Sequence, residues 1–153
     1  MIVEGRGNLL TADAEALVNA VNTVGVMGKG IALQFKRAFP GNYRAYQAAC
    51  ARGEMRIGRV HVFDTGLLGN RRFIINFPTK GHWRSRSRLA DVASGLEALV
   101  DVVRERGISS IAIPALGCGN GGLTWDEVRP LIELAMSKVP AVTALVYPPE
   151  GNW

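Results

Sequence analysis

The sequence predicts an α/β protein in which helices cover both faces of a central mixed sheet, a three-layer α/β/α architecture. Three observations predict it: short apolar strands alternate with amphipathic helical segments, two glycine-rich loops each follow a strand and precede a helix, and one pair of strands has hairpin spacing. The chain has 153 residues, of which 48% are hydrophobic and 20% charged. This length and composition favour a single folded domain over residues 1–153.

The amino-terminal strands are short and rich in apolar residues. A first strand is predicted at Ile2–Val3, and Glu15–Val21 has no helical stripe, which indicates a buried strand. The first glycine loop, Gly25–Gly30, follows it. Glycine leaves backbone N–H groups open to a ligand, so phosphate binding and a simple tight turn both fit this loop. Its spacing is neither GxGxxG nor that of a P-loop, which disfavours a Rossmann dinucleotide domain and a P-loop NTPase.

Two helices are predicted after the first glycine loop. The apolar residues of Ile31–Phe39 favour a helix that packs by one face. A proline–glycine pair directly after it predicts a break in the chain. The second helix is predicted over Asn42–Arg52, with Asn42 as its N-cap and Gly53 as its C-cap.

A hairpin is predicted in the middle of the chain. Arg59–Phe63 alternates polar and apolar residues, as a half-buried strand does, and Arg71–Phe77 is predicted as its partner. The turn between the two strands is expected at Leu67–Asn70. A basic loop is then predicted over Pro78–Arg88.

The carboxyl-terminal half repeats the order of helix, strand, glycine loop, helix and strand. Thr124 is expected to cap its helix, because Glu127 follows three residues later and completes a capping box. The predicted elements are a helix over Leu89–Arg106 ended by Gly107, a strand over Ser109–Leu116, the second glycine loop Gly117–Gly122, a helix over Thr124–Val139 and a strand over Thr143–Tyr147.

The two glycine loops together favour a diphosphate ligand. Four of the six residues in Gly117–Gly122 are glycine, more than turn chemistry alone explains. Ligand crevices of open α/β sheets form at the carboxyl ends of strands, so the two loops are expected to bind a pyrophosphate between them. The alternative is that they are only two flexible connections.

Asn19 and Asn22 flank the end of a predicted strand, where an amide can bind sugar hydroxyls or form part of a turn.

The charge balance favours a polyanionic partner. The chain carries 18 Lys and Arg against 13 Asp and Glu, a net charge of +5, which suits a phosphate-bearing ligand, a nucleic acid or simply a basic solvated surface. His82, Trp83 and Arg84 combine aromatic rings with positive charge, a mixture that stacks on bases and follows a nucleic-acid backbone. Lys80 can neutralise or protonate a leaving group, attack a sugar C1 as a free amine, or be an ordinary solvated lysine.

Cysteine and histidine usage disfavours several other classes. The two cysteines, Cys50 and Cys118, cannot build a disulfide framework and have no CxxC spacing, which favours a reducing, cytoplasmic compartment. The two histidines, His61 and His82, form no metal-binding motif, so neither a metal nor a cofactor is expected. No apolar run approaches the ~18 residues of a membrane span, and no signal-peptide pattern begins the chain.

Three segments together resemble the macrodomain family: Ala14–Asn22, Gly25–Lys36 and Pro114–Trp125. The likeness runs along nearly the whole chain. Asn76–Trp83, with the sequence NFPTKGHW, is similar to the DarG antitoxin branch of that family, to which the terminal ADP-ribose hydrolases are related. The resemblance implies a macrodomain fold with a cleft for ADP-ribose.

The resemblance also implies the residues of the site. Asn22 matches the residue that holds the distal ribose and Lys80 matches a lysine near its C1, so both are expected to be catalytic. Asn8 stands where many macrodomains have an adenine-binding Asp, and Gly121 stands where the terminal hydrolases have an Asp, so a mechanism that needs that second carboxylate does not carry over. The full set expected to bind ADP-ribose is Asn8, Leu9, Asn19, Asn22, Gly28, Lys29, Gly30, Ile31, Ala32, Gly117, Cys118, Gly119, Asn120, Gly121, Gly122 and Leu123.

The function that the resemblance implies is removal of ADP-ribose from thymidine in DNA, the antitoxin half of a toxin–antitoxin system. The substrate is then ADP-ribosylated single-stranded DNA, contacted by His82, Trp83 and Arg84, and the product is ADP-ribose. The alternatives are hydrolysis of ADP-ribose esters on protein Asp or Glu, a non-catalytic ADP-ribose reader and, more remotely, nucleotide-phosphate processing. DarG antitoxins carry a further carboxyl-terminal domain, so a chain ending at Trp153 is expected to lack direct contact with the cognate ADP-ribosyltransferase toxin.

Overall fold

The computed structural model describes residues 1–149. Within this range the strands are β1 (Ile2–Glu4), β2 (Ala16–Asn22), β3 (His61–Asp64), β4 (Phe73–Lys80), β5 (Ser110–Ile113) and β6 (Thr143–Val146). The helices are α1 (Gly30–Ala38), α2 (Pro40–Ala51), α3 (Leu89–Arg106) and α4 (Trp125–Ser137). Short 3-10 turns lie at Leu9–Thr11 and Gly119–Gly121.

The strands form one sheet in the order β1-β6-β5-β2-β4-β3. β3 and β4 are antiparallel, as hairpin neighbours are, whereas the other neighbouring strands run parallel. This arrangement confirms the predicted mixed sheet. The parallel strands β2, β4 and β5 end at the same edge, so the loops that follow them meet there.

Helices cover both faces of the sheet, which confirms the three-layer architecture. On one face, α3 and α4 pack against strand side chains such as Val18 and Ile75. On the other face, Phe35 of α1 is fully buried in a cluster that includes Leu17 and Ile74. Successive residues of a strand point to opposite faces. Because both faces are covered, β2 is apolar along most of its length and shows no alternation in the sequence.

The ends of helix α2 correct the prediction. The helix begins at Pro40, two residues before the predicted N-cap, Asn42. Proline suits the first turn of a helix because the N–H that it lacks has no partner there in any helix. Asn42 lies inside the helix and is fully buried, and its Oδ1 accepts a hydrogen bond of 2.8 Å from Asn76 Nδ2. At the other end the C-cap is Arg52, and Gly53 follows it.

β4 runs further than predicted and ends at Lys80. The prediction placed Pro78 and Lys80 in the basic loop, and proline lacks the N–H that a central strand donates. However, β3 pairs with β4 only as far as Asn76, so the strand continues through Pro78 with a free edge on that side. The register with β2 shifts after Val21, so that Asn22 pairs with Lys80. The last residues of β2 and β4 therefore lie side by side.

The predicted bounds of α3 are confirmed, and Gly107 is its left-handed C-cap. The capping box of α4 is also confirmed, because the backbone N–H of Thr124 donates to Glu127 Oε1 at 3.2 Å. β5 ends at Ile113, three residues before the predicted end at Leu116. Across residues 1–149, no helix is long and apolar enough to cross a membrane, and no group of three His, Cys, Asp or Glu side chains is placed to hold a metal ion.

Candidate functional site

A cleft of about 700 Å³ opens at the carboxyl edge of the sheet. The ends of β2 and β4, the two glycine loops and the basic loop (residues 81–88) surround it. No Asp or Glu is among the described residues that line it, whereas Lys29, Lys80 and Arg84 are, so its charge favours an anionic ligand. The predicted site residues that line the cleft are Asn22, Gly28, Lys29, Gly30, Ile31, Ala32, Lys80, Trp83, Arg84, Gly117, Cys118, Asn120 and Gly121.

Several cleft residues were missed by the sequence prediction because their side chains carry no distinctive chemistry. Their place in the chain was the available signal, since they lie at strand ends or inside the first glycine loop. These residues are Ala20, Val21, Val26, Thr79, Pro114 and Ala115.

Asn22 shapes the first glycine loop. Its Nδ2 donates to Val26 O at 2.8 Å, and its Oδ1 accepts from Val24 N at 3.1 Å and from the Tyr46 hydroxyl at 2.8 Å. The residue is only 5% exposed, so these bonds set the orientation of its amide. An amide has two N–H donors, and one of them is sufficient for Val26. The second N–H is available to a ligand in the cleft.

Tyr46→Phe is expected to loosen this arrangement. The Tyr46 hydroxyl contacts both Asn22 O and Asn22 Oδ1 at 2.8 Å, and burial raises the pKa of the phenol, so it remains a donor. Its loss should lower the free energy of unfolding by about 1 kcal/mol and weaken affinity for a cleft ligand. Urea denaturation measures the first effect and calorimetry with ADP-ribose the second.

Tyr43→Phe is the matched control for that substitution. The Tyr43 hydroxyl accepts from Gln47 Nε2 at 2.8 Å in an exposed hydrogen bond on the same helix. Its removal should change neither quantity appreciably. Equal losses in the two variants would contradict the role assigned to Tyr46.

The second glycine loop folds back on itself after β5. Leu123 N donates to Gly117 O at 2.9 Å, and Gly122 N donates to Gly119 O at 3.1 Å. Gly117 has a φ of +75°, and a Cβ there would lie 2.7 Å from Leu123 Cδ1, so only glycine fits this tight turn. Gly119, Gly122 and Leu123 shape the loop without lining the cleft. Burial raises the pKa of the Cys118 thiol, which disfavours a nucleophilic role.

Lys80 lies half-buried in the cleft, beside Asn22. Desolvation by burial lowers the pKa of its ammonium, and the nearby charge of Lys29 lowers the pKa further. A lysine with a lowered pKa gives up its proton more readily and spends more time as the free amine. Proton donation and nucleophilic attack are therefore both chemically accessible to Lys80.

The basic loop places an aromatic platform at the mouth of the cleft. The Trp83 and His82 rings are stacked with their centroids 4.8 Å apart, and the Arg84 guanidinium lies 4.5 Å from the Trp83 centroid. Trp83 is 41% exposed. Trp83 and Arg84 line the cleft, whereas His82 supports the Trp83 ring from outside the lining.

Besides Gly119, Gly122 and Leu123, three more residues predicted to bind ADP-ribose lie outside the cleft lining. Asn8 Oδ1 accepts from Leu10 N at 3.0 Å and caps the first 3-10 turn, so its oxygen is engaged within that turn. Leu9 is fully buried in the core. Asn19 is also fully buried, and its Nδ2 donates to Asn76 Oδ1 at 3.2 Å. The structure therefore assigns Asn19 to the polar network of the core and not to the cleft wall.

The fold and the cleft define a class of protein: three-layer α/β/α domains with a glycine-rich, basic cleft at the carboxyl edge of the sheet. Comparison with known families gives the particular assignment. The chain belongs to the Macro domain family, whose model matches residues 18–132.

Individual relatives narrow this assignment. A DNA ADP-ribosyl glycohydrolase of Mycobacterium tuberculosis is 56% identical over 152 residues, which cover 99% of this chain and 43% of the relative. The chain thus spans less than half the length of this relative and of its Thermus aquaticus counterpart, of which it covers 41%.

Solved structures agree with the sequence comparison. The macrodomain of Mycobacterium tuberculosis DarG matches with a TM-score of 0.96 and 55% identity, over 98% of this chain and 99% of that one. Thermosipho africanus DarTG in complex with ADP-ribose matches with a TM-score of 0.84 and 35% identity, over 93% of this chain and 40% of that one. The predicted family and its DarG branch are confirmed.

Proposed function

We propose that this domain hydrolyses the bond between ADP-ribose and thymidine in DNA, as the antitoxin half of a toxin–antitoxin system. The observation that carries the proposal is the pairing of Asn22 with Lys80 in a basic cleft between two glycine loops. The relatives named DNA ADP-ribosyl glycohydrolases support it. The likeness to a DarTG structure that contains ADP-ribose supports it as well.

ADP-ribose fits the cleft with its diphosphate between the two glycine loops. Helix α1 begins at Gly30, so the partial positive charge of its amino terminus faces the first loop, and Lys29 adds a full charge. The second loop supplies further backbone N–H groups from the opposite side. Asn22 then holds the distal ribose through the N–H that Val26 does not use, which places the ribose C1 near Lys80.

Hydrolysis breaks the bond between ribose C1 and the thymine nitrogen. Water supplies the hydroxyl group that C1 gains and the proton that the nitrogen gains. Positive charge develops on the ribose as the bond breaks, and negative charge develops on the base. As an ammonium, Lys80 stabilises or protonates the departing base. As a free amine, it bonds to C1 of the ring-opened sugar while the bond from C1 to the thymine nitrogen breaks and that nitrogen takes up the proton that the amine gives up; water then hydrolyses the resulting imine and frees the lysine. Asn22 keeps C1 within reach in both cases.

The basic loop favours DNA over modified protein as the substrate. Trp83 is 41% exposed, and a neighbouring base can stack on its ring in place of the Arg84 guanidinium, which is then free to meet a phosphate. Stacking on Trp83 requires an unstacked base, which favours single-stranded DNA. Gly121 supplies no carboxylate of the kind that the terminal hydrolases have at this position.

The test compares release of ADP-ribose from a thymidine-modified oligonucleotide and from protein modified on Asp or Glu. We expect release from the oligonucleotide, and Trp83→Ala should weaken oligonucleotide binding by about tenfold, since stacking contributes about 1–3 kcal/mol per base. Leu68→Ala is the control, because Leu68 is 92% exposed on the hairpin turn at the opposite end of β4. Faster release from protein would favour the ester hydrolase, and binding without turnover would favour a reader.

The proposal implies a partner enzyme and a compartment. An ADP-ribosyltransferase toxin must make the modified thymidine that this domain consumes, so the two act in sequence on the same DNA.

The two cysteines, Cys50 and Cys118, are both free thiols. Free thiols suit a reducing compartment, and we place the protein in the cytoplasm.

A further inference from the structure

Val26 presents an apolar side chain to the cleft from the first glycine loop. The residue is 40% exposed, so its side chain is not part of the core. Its Cγ1 lies 3.5 Å from the position of a Cβ built on Gly28, which also lines the cleft. The side chain of Val26 thus lies beside another lining residue and remains open to a ligand.

Asn22 fixes the position of Val26. Asn22 Nδ2 donates to Val26 O at 2.8 Å, and Asn22 Oδ1 accepts from Val26 N at 3.4 Å. One buried amide therefore binds both backbone polar groups of Val26. In the proposed function, the second N–H of the same Nδ2 atom holds the distal ribose. Val26 and the ribose are then bound to a single nitrogen atom, which makes Val26 a neighbour of the group attached to ribose C1.

The basic loop lies on the other side of this position. Thr23 Oγ1 donates to Gly81 O at 2.9 Å, so the residue that follows β2 is tied to the start of the basic loop, directly after Lys80. Trp83 lines the cleft from that loop. A base attached to ribose C1 near Lys80 therefore lies between the first glycine loop and the basic loop, with Val26 on one side.

The chemistry of valine indicates which part of the base it suits. Its side chain makes no hydrogen bond and gains free energy when a ligand removes it from water. A polar edge of a base would leave its hydrogen-bonding groups unsatisfied against Val26. Thymine carries one apolar group, the methyl at C5, which the other DNA bases lack. The methyl group is therefore the part of thymine that Val26 favours.

We propose that Val26 is a specificity-determining residue, whose side chain contacts the 5-methyl group of the thymine that leaves ribose C1. This inference rests on the proposed function, since that function places a modified thymidine in the cleft and the distal ribose on Asn22. It adds to that function the side chain that distinguishes thymine from a base without the methyl. Lys80 and Asn22 act on the ribose and the bond that breaks, whereas Val26 acts on the identity of the base.

The test uses two oligonucleotides that carry ADP-ribose on the same base nitrogen, one on thymidine and one on deoxyuridine, which lacks only the methyl group. Single-turnover release at subsaturating protein measures the preference between them. The wild type should release ADP-ribose from the thymidine substrate about four- to tenfold faster, as expected for one methyl group in an apolar contact. Val26→Ala should release it from the two substrates at nearly equal rates, because the contact with the methyl is gone.

Val24→Ala is the matched control. Val24 belongs to the same loop, is 48% exposed and also donates its N–H to Asn22 Oδ1, at 3.1 Å, but it lies outside the described cleft lining. This variant should keep the preference of the wild type. Equal loss of the preference in both valine variants would assign it to the shape of the loop and not to the side chain of Val26.

Three further results would overturn the role of Val26. Equal release from the two substrates by the wild type means that the methyl group is not recognised. A preference that persists in Val26→Ala means that another group recognises it. Equal slowing of both substrates, with weaker calorimetric binding of free ADP-ribose, means that Val26 contacts the ribose. Release from neither oligonucleotide by the wild type is a different result, since it would overturn the proposed function itself.

Discussion

Lys80→Ala is expected to slow release of ADP-ribose from modified oligonucleotide by about 100-fold or more, because a positioned proton donor contributes about 10²–10⁴-fold to a rate. Affinity for free ADP-ribose should change little, since the diphosphate loops and Asn22 remain. Single-turnover release measures the first quantity and calorimetry the second. A large loss of rate at nearly constant affinity identifies a group that acts on the reacting bond.

Lys36→Ala is the matched control for Lys80→Ala. Lys36 lies on α1, where its ammonium sits 4.6 Å from the centroid of the Tyr43 ring and outside the described cleft lining. This variant should release ADP-ribose at the wild-type rate. Undiminished release by Lys80→Ala would remove Lys80 from the mechanism and leave the fold assignment intact.

The pH dependence of release separates the two roles of Lys80. Burial and the charge of Lys29 both lower the pKa of Lys80, so the ammonium is lost at a lower pH than in an ordinary lysine. If the ammonium acts, the rate falls as pH rises through that pKa; if the amine attacks, the rate rises over the same range. Lys29→Ala removes one of the two causes and so raises the pKa of Lys80. The pH at which the release rate changes should therefore move higher, whichever role Lys80 has. If that pH is the same in Lys29→Ala as in the wild type, the charge of Lys29 does not act on Lys80.

Gly117→Ala is expected to abolish most of the affinity for ADP-ribose. Gly117 has a φ of +75°, a conformation that costs other residues about 1–2 kcal/mol. Its added Cβ would also lie 2.7 Å from Leu123 Cδ1 and 3.2 Å from Ser87 Cβ, and such crowding costs about 1–3 kcal/mol more. Rotation of the Leu123 side chain relieves part of the crowding, whereas the contact with Ser87 and the backbone strain are relieved by a shift of the second glycine loop, which displaces the diphosphate site. Calorimetry should show an affinity more than tenfold lower, and urea denaturation a matching loss of stability.

Comparison of Gly117→Ala with Gly119→Ala isolates the contribution of crowding. Gly119 lies in the same loop with a φ of +66°, but a Cβ there meets nothing within 4 Å. This variant has the backbone strain without the steric conflict, so it should keep more affinity and more stability than Gly117→Ala. Equal behaviour of the two variants would mean that strain alone controls the loop.

The helices and the glycine loops were predictable because their signals are local. The bounds of α3 follow from the spacing of its apolar residues, and the start of α4 follows from the capping box of Thr124 and Glu127. The predictions failed where distant residues override local preference. Pro78 stays in β4 because the pairing of β4 with β3 extends no further than Asn76, and Asn42 is drawn into the core by Asn76.

Local sequence established the order of the elements, the two glycine loops and the basic character of the chain, because periodicity and backbone preference act over a few residues. The tertiary structure alone decided which side chains share the cleft. The shift in register between β2 and β4 sets Lys80 beside Asn22, and Tyr46 reaches Asn22 from helix α2. Chain folding also lays Ser87 against Gly121. These contacts join residues far apart in the chain, so they depend on strand pairing and packing that no local pattern encodes.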